Sequence, residues 1–347
     1  MKIMTRLAAM AGLGLAAACS DGTGPNQNSF DAAKVEAGLA VVEQATTAPV
    51  IRSFGALGAS ISGSQAPSAT GPDRLVSAVR TLAGIVRPEV NAAFVPVIGG
   101  DVLGQTYVYH QASGTYVVDP ARTGAPANGV RFILYQLDAN DHPTSTEAGY
   151  ADLIDAQSSS SSSAGLTLRV VSGGITYLEY AFALSGSVAN ATVAVDGFIS
   201  NGTEQVDFDI TTNGQLFWQG GPASIDAHLE VPSKDFAVTV ALAGTAGSQS
   251  GDGSYDLKVT SGADVLVLEA DVAAGVVDAS VTYNGSLFAT ITGPVGSPTV
   301  AGENGRELTN AEMAVLGHVV AFAGGVLEVF GGLLEPVGVL LLIGLGL

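Results

Sequence analysis

The sequence predicts a mainly β fold, a large antiparallel β-meander (a curved sheet or barrel-like) with N-terminal helices and a C-terminal apolar helix packed on it. Three observations predict this fold. Apolar and polar residues alternate over most of residues 105–293, glycine-containing turn pairs separate the alternating runs, and helical spacing is confined to the ends of the chain. With 347 residues, 47% hydrophobic and 13% charged, the chain can bury a sizeable core.

The N-terminal region, residues 30–100, is predicted to be helical. Apolar residues recur at helical spacing over 31–46, namely Val35, Leu39 and Val42, and Pro49 ends this helix. A second short helix is expected over 50–59 and a third between Pro72 and Pro88. None of these helices carries a group that suggests chemistry, so we interpret them as cover for the sheet.

The predicted meander occupies residues 105–293 and has about a dozen strands. Its clearest strands alternate strictly, as in Val206-Asp207-Phe208-Asp209-Ile210 and in residues 225–231. Asn284-Gly285 between two alternating runs is a strong hairpin signal. Other predicted turn pairs are Ser113-Gly114, Gly173-Gly174, Asn201-Gly202, Asn213-Gly214 and Ser261-Gly262. One face of the sheet should therefore be apolar and the other polar.

The C-terminal segment, residues 306–347, is predicted to form one domain with the sheet. Thr309 and Glu312 have the spacing of a capping box, Leu308 and Met313 that of a hydrophobic staple, and the helix should begin at Asn310. A helix over 310–335 would be roughly 39 Å long.

Two placements of this almost wholly apolar helix are open. It can lie across the apolar face of the sheet, or inside a barrel formed by the sheet, close to other backbone at glycines that repeat every seven residues. Alternatively, residues 310–347 can enter the membrane, although His318, Glu328 and Glu335 are costly in a bilayer. We expect burial against the sheet.

The first 19 residues have the organisation of an export signal. Lys2 and Arg6 precede an apolar stretch of 12 residues, and Leu15-Ala-Ala-Ala-Cys19 closes it. This motif resembles the lipobox of bacterial lipoproteins, which implies a signal peptide over 1–18, cleavage before Cys19 and lipidation of Cys19. Residues 19–29 are polar and suit a flexible tether. The resemblance places the protein in the cell envelope, and Ser20 favours the outer membrane, on its periplasmic or surface side.

Charge and cysteine content exclude several classes of partner and site. Without Lys2 and Arg6, 11 of the 13 basic residues remain beside all 32 acidic ones, a formal charge of −21. Such a surface repels phosphate backbones, so we expect no nucleic acid partner. Because Cys19 is the single cysteine, the chain forms no internal disulfide and no cysteine metal cluster.

The sequence contains no recognisable catalytic, cofactor-binding or metal-binding motif. Its four histidines (110, 142, 228 and 318) are too far apart for metal-ligand spacing, and we interpret them as surface or core residues. Oxygen-bearing side chains occur in the loop from Asp138 to His142 and around Asp252, and a turn is favoured over calcium in both places. Asp207 and Asp209, near Glu204, are interpreted as a solvated strand face, and Trp218 as a packing residue.

The sequence therefore predicts a membrane-tethered envelope lipoprotein with a non-catalytic structural or interaction role. The alternative is a carrier of lipid or another apolar ligand, and a hydrolase with a site built from scattered residues is less favoured. The only site residue predicted is Cys19, for lipidation. The expected partners are the membrane, through the lipid, and either an envelope protein or an apolar ligand.

Overall fold

The computed structural model describes residues 32–62, 98–156, 163–187, 190–214, 222–245, 252–295 and 297–310, and six single positions beyond them, Glu312, Met313, Leu316, Gly317, Gly331 and Leu334. The helix predicted between Pro72 and Pro88 lies outside these residues. The helix predicted over 310–335 is described only at isolated positions, so its length and placement also lie outside them.

Two N-terminal helices and fifteen strands make up the regular structure of the described chain. The helices are α1 (Ala32–Thr46) and α2 (Pro49–Ser62). The strands are β1 (Thr106–His110), β2 (Thr115–Val118), β3 (Gly129–Leu137), β4 (Pro143–Asp155), β5 (Ser163–Ser172), β6 (Ile175–Ser187), β7 (Asn190–Ser200), β8 (Gln205–Gly214), β9 (Pro222–Val231), β10 (Phe236–Thr245), β11 (Gly253–Ser261), β12 (Asp264–Ala273), β13 (Val276–Tyr283), β14 (Ser286–Pro294) and β15 (Thr299–Gly302). The two helices predicted over 31–46 and 50–59 and the predominance of strand are confirmed.

All fifteen strands belong to one sheet in which β3 to β15 follow each other in chain order. Each of these strands pairs antiparallel with the next, as the meander interpretation predicts. The sheet is mixed, because β1 runs parallel to β3 and the hairpin partner β2 then forms one edge. The sheet does not close on itself, since β2 and β15 are its two ends. The barrel-like alternative is therefore wrong.

The predicted turn pairs lie in turns with two exceptions. Ser261 of the predicted pair Ser261-Gly262 is the last residue of β11, so this turn begins at Gly262. Asn284 and Gly285 have φ values of 49° and 77°, as a two-residue type I′ hairpin requires. Asn213-Gly214, predicted as a turn, instead lies in β8, where Asn213 pairs with Thr192 of β7. The Thr192 hydroxyl donates a 2.9 Å hydrogen bond to the Asn213 side-chain oxygen, which favours strand pairing up to this point.

The core lies on one face of the sheet, which we call the inner face. Alternate residues of β8 to β14 are buried there, for example Val206, Phe208 and Ile210, and the residues between them form the outer face. Helix α2 packs on β2–β6 and α1 packs on β7–β10. These helices and the inner face share one hydrophobic cluster.

The chain leaves the sheet at β15 through a well-defined helix start. Thr309 N–H donates to the Glu312 carboxylate at 2.8 Å, and Glu312 N–H donates to the Thr309 hydroxyl at 3.3 Å. The predicted capping box is confirmed, and Asn310 is the first helical residue. Met313 is 44% exposed, so the predicted staple buries little of it. Within the described residues, no helix combines the length and the apolar content that crossing a membrane requires.

Candidate functional site

The one site residue predicted from the sequence, Cys19, lies outside the described residues, as do Trp218 and His318. The lipidation of Cys19 therefore stays a prediction.

The Asp138 loop is a tight connection between β3 and β4. The Asp138 carboxylate accepts hydrogen bonds from Asn140 N–H at 2.8 Å and His142 N–H at 3.0 Å. These bonds lower the pKa of Asp138, since they stabilise its charged form. Asp141 forms an ion pair with Arg52 of α2 at 2.5 Å. The oxygens of this loop thus close a turn and attach it to a helix, as the turn interpretation predicts.

The acidic residues of β8 line the outer face. Asp209 is exposed and Asp207 is half-buried on this face. Glu204 lies in the preceding turn and pairs with Lys234 at 2.9 Å, and Lys234 and the Ser233 hydroxyl lower its pKa. This arrangement confirms the prediction of a solvated strand face.

The described histidines are separated in the structure as well. His110 contacts the Ser113 hydroxyl in the β1–β2 turn, His228 contacts the Thr239 hydroxyl of β10, and His142 is 75% exposed. Among the described residues, no group of three or more His, Cys, Asp or Glu is arranged to hold a metal ion.

The outer face carries acidic side chains directly opposite each other on neighbouring strands. The clearest pair is Asp271 of β12 and Asp278 of β13, both exposed. Three further pairs have the same relationship: Asp196 with Asp209, Asp207 with Glu230, and Asp256 with Glu269. Like charges in directly opposed positions repel each other, so this face concentrates negative potential.

A ladder of alternating charges crosses the outer face at the other end of the sheet. Arg131, Asp152, Arg169 and Glu179 follow each other on β3, β4, β5 and β6. Arg131 donates two hydrogen bonds of 2.7 Å to the Asp152 carboxylate, and its guanidinium lies 3.7 Å from the centre of the Tyr150 ring. Arg169 binds Glu179 at 2.6 Å. The ladder neutralises its own charges and is best explained as a structural element.

The inner face contains one tyrosine hydroxyl that the described chain does not use. Tyr255 of β11 points inward with Leu257 and Val259, and its hydroxyl oxygen is buried without a hydrogen-bond partner among the described residues. Burial raises the pKa of this hydroxyl above its ordinary value. Tyr283 of β13 gives a contrast on the same face, because its hydroxyl donates a 2.7 Å hydrogen bond to Asp264.

Small residues lie beside Tyr255 on the next two strands. Ala270 of β12 pairs with Tyr255, and Ala279 of β13 pairs with Ala270. Leu242 of β10 and Ile291 of β14 continue this row on its two sides. Only 4% of Ala270 and 5% of Ala279 are exposed. The row is therefore apolar and buried, with the Tyr255 hydroxyl as its one polar side-chain group.

The cover of this part of the sheet differs from that of the rest. Helices α1 and α2 pack on β2–β10, whereas the inner-face residues of β11–β14 are buried just as fully. Two apolar residues of the C-terminal segment, Leu316 and Leu334, are 5% and 1% exposed and belong to the same cluster.

The alternation of apolar and polar residues in β11 is enough to place Tyr255 on the inner face, but it does not single this residue out. The available signal was the amphipathic side chain itself, because a buried tyrosine usually finds a partner for its hydroxyl. Whether a partner is present depends on tertiary contacts that the alternation pattern does not contain.

Comparison with known proteins adds no relative to this description: no protein-family model matches the chain, and neither the curated proteins nor the solved structures searched contain a significant match.

Proposed function

We propose that this chain is a lipid-anchored protein of the bacterial cell envelope, attached through Cys19, that acts by binding and not by catalysis. The proposal of a non-catalytic role is carried by one observation: the polar side chains that were candidates for chemistry have structural roles or lie on the solvated face. The Asp138 loop closes a turn, Glu204 pairs with Lys234, and Asp207 and Asp209 line an exposed strand face. In this proposal the protein has a structural or interaction role, with the acidic outer face turned toward its surroundings.

The C-terminal segment covers the inner face of β11–β14 in this proposal. Its helix begins at Asn310, just after the edge strand β15, and therefore at the side of the sheet that α1 and α2 leave free. The burial of Leu316 and Leu334 in the common core supports this placement. An apolar helix on this face would hide two apolar surfaces at once.

A second candidate function, binding of an apolar ligand on the inner face, is favoured by one specific observation. The Tyr255 hydroxyl is buried on that face without a partner in the described chain. A buried donor that lacks a hydrogen bond is costly, and natural proteins usually satisfy such groups. A ligand that replaces the C-terminal segment over β11–β14 could supply the missing acceptor.

Lipid attachment is tested by labelling cells that express the full chain with an alkyne-bearing palmitate. We expect labelled protein in the membrane fraction and neither label nor membrane retention for Cys19→Ser. Equal membrane retention of both proteins would contradict the lipid anchor.

The two binding roles are separated by native mass spectrometry of the chain from Ser20 to Leu347, which retains every element that the structure describes. A bare sequence mass in a soluble protein supports the structural or interaction role. A mass surplus that disappears on denaturation and fragments as lipid supports the carrier. A chain that is soluble only in detergent would contradict the placement of the C-terminal segment on the sheet.

A further inference from the structure

Five asparagines of this chain are followed directly by a glycine. They are Asn128, Asn201, Asn213, Asn284 and Asn304. An asparagine before glycine is chemically reactive, because glycine has no side chain to hinder attack of its backbone nitrogen on the preceding side-chain amide. The attack requires a side chain that can rotate and a backbone that can change conformation. The fold therefore decides which of the five pairs reacts.

Three of these asparagine side chains are held by single or paired hydrogen bonds. The Asn128 side-chain amide donates to the Asp155 carbonyl oxygen at 2.9 Å, and the Asn213 side-chain oxygen accepts from the Thr192 hydroxyl at 2.9 Å. The Asn201 side-chain oxygen accepts from two backbone N–H groups at 2.9 and 2.8 Å. Each side chain has to break these bonds before it can rotate toward the following nitrogen.

Asn284 is held at both ends of its side-chain amide. The oxygen accepts a hydrogen bond from Val265 N–H at 2.8 Å, and the nitrogen donates to the Asp264 carboxylate at 3.3 Å. The backbone N–H of Asn284 also donates to the Val265 carbonyl oxygen at 2.8 Å. These bonds attach the β13–β14 turn to the beginning of β12, so this reactive pair is well protected.

Asn304 is the exception among the five. In the part of the chain that the structure describes, its side chain has no hydrogen bond. Asn304 and Gly305 are both exposed and lie in one short helical turn between β15 and the start of the C-terminal helix. A hydrogen bond of this turn, from Arg306 N–H to the Glu303 carbonyl oxygen, is long at 3.5 Å. Local opening of such a turn costs little free energy.

We propose that Asn304 is a modification site at which the side-chain amide is lost by reaction with the Gly305 backbone. The Gly305 nitrogen gives up its proton and bonds to the side-chain carbonyl carbon of Asn304. The bond from that carbon to the side-chain nitrogen breaks, and the nitrogen takes up a proton and leaves as ammonia. Water then opens the cyclic imide. Opening at the side-chain carbonyl gives aspartate, whereas opening at the backbone carbonyl gives isoaspartate.

The modification changes the connection between β15 and the C-terminal helix start. Both products add a negative charge next to Glu303. Isoaspartate also lengthens the backbone, because its peptide linkage runs through the side chain. The lengthened segment lies between Gly302 and Arg306, where a 2.8 Å hydrogen bond from Gly302 N–H to the Arg306 carbonyl oxygen closes the turn. Isoaspartate should therefore open this turn.

The experiment follows the chain from Ser20 to Leu347 in a mildly alkaline buffer, which favours loss of the Gly305 proton. Samples are digested with trypsin, which cleaves after lysine and arginine. Residues 259–306 form one tryptic peptide that carries both Asn284 and Asn304. Fragmentation in the mass spectrometer shows which residue has gained the mass difference between an amide and an acid. The same chain unfolded in guanidinium chloride is the matched control, because neither asparagine is then held by the fold.

In the folded protein we expect Asn304 to react at least about tenfold faster than Asn284, which first has to break several hydrogen bonds. In the unfolded chain the two rates should become similar. Asn304→Gln should abolish the reaction at residue 304, because glutamine closes a larger ring slowly, and should leave the rate at Asn284 unchanged. Both aspartate and isoaspartate should form at residue 304.

Three results would overturn the proposal. Asn284 could react as fast as Asn304 in the folded protein, or Asn304 could stay intact in the folded protein while it reacts in the unfolded chain. The third result is aspartate without isoaspartate at residue 304, because direct hydrolysis of the amide gives aspartate alone. None of these results bears on the lipid anchor or on binding at the inner face, so the proposed function is tested separately.

Discussion

Gly38 of α1 lies against the ring of Phe236 of β10 so closely that a Cβ atom at residue 38 would be 2.4 Å from the ring carbon Cγ. Phe236 is only 1% exposed, so its ring cannot move into solvent. The absence of a side chain at one helical position therefore sets how near α1 approaches the sheet, and this approach closes the core over β7–β10.

Replacing Gly38 by alanine should destabilise the protein by about 1–3 kcal/mol, because overpacking at Phe236 outweighs the gain in helix propensity. The free energy of unfolding is measured by urea denaturation. Gly55 of α2 is the matched control, since a Cβ there would meet nothing within 4 Å. Gly55→Ala should raise stability by up to about 1 kcal/mol. A stabilising effect at both positions would contradict the close contact.

The opposed pair Asp271 and Asp278 predicts that a charge reversal on the outer face is stabilising. Asp278→Lys converts a repulsive cross-strand pair into an attractive one and should raise the free energy of unfolding by about 0.5–1 kcal/mol at low salt. Asp278→Asn, which only removes the repulsion, should give a smaller gain. Because both residues are exposed, the gain should shrink in 1 M NaCl. A loss of stability in Asp278→Lys at low salt would count against this prediction.

Breaking the Arg131–Asp152 pair should change the free energy of unfolding much more than the substitutions at Asp278. Asp152 is 6% exposed and Arg131 is 18% exposed, so Asp152→Asn leaves a guanidinium charge partly buried without its partner. We expect a loss of about 3 kcal/mol or more in urea denaturation. Asp141→Asn removes an exposed pair with Arg52 and serves as the control, with an expected loss below about 1 kcal/mol. Similar losses for both variants would argue against a buried ladder.

Most strands could be predicted because each signal was local. Val206 to Ile210 alternate without interruption, and Asn284-Gly285 is a turn pair that few other conformations accept. The first half of β4, which begins at Pro143, lacks such a local signal. Its pairing with β3 shifts register near Tyr135, and a bulge of this kind breaks the alternation that marks a strand.

Features that depend on distant parts of the chain were not predicted. The parallel pairing of Thr106 with Arg131 arises because the β1–β2 hairpin folds back beside β3, and no local pattern encodes this contact. Tyr255 and Tyr283 occupy equivalent inward positions in the sequence pattern. Only the fold decides that Tyr283 contacts Asp264 while the Tyr255 hydroxyl has no partner in the described chain.

The start of the C-terminal helix should be sensitive to acid. The Arg306 guanidinium, and then the backbone and side chain of Thr309, lower the pKa of Glu312 to about 2. A carboxyl whose folded-state pKa lies below its unfolded value of about 4.3 contributes stability above that value. This contribution should be lost as the pH falls from about 4.3 toward 2. Carbon-13 NMR of the Glu312 carboxyl measures the titration directly.

Two variants separate the causes of this shift. Arg306→Gln removes the largest one and should move the titration of Glu312 well toward its ordinary range. Thr309→Val keeps the backbone N–H that donates to Glu312 at 2.8 Å and loses the hydroxyl, so its effect should be smaller. Titration of Glu312 near 4.3 in the wild-type protein would show that neither the ion pair nor the capping box forms in solution. Such a result would also remove the support that this helix start gives to placing the C-terminal segment beside β15.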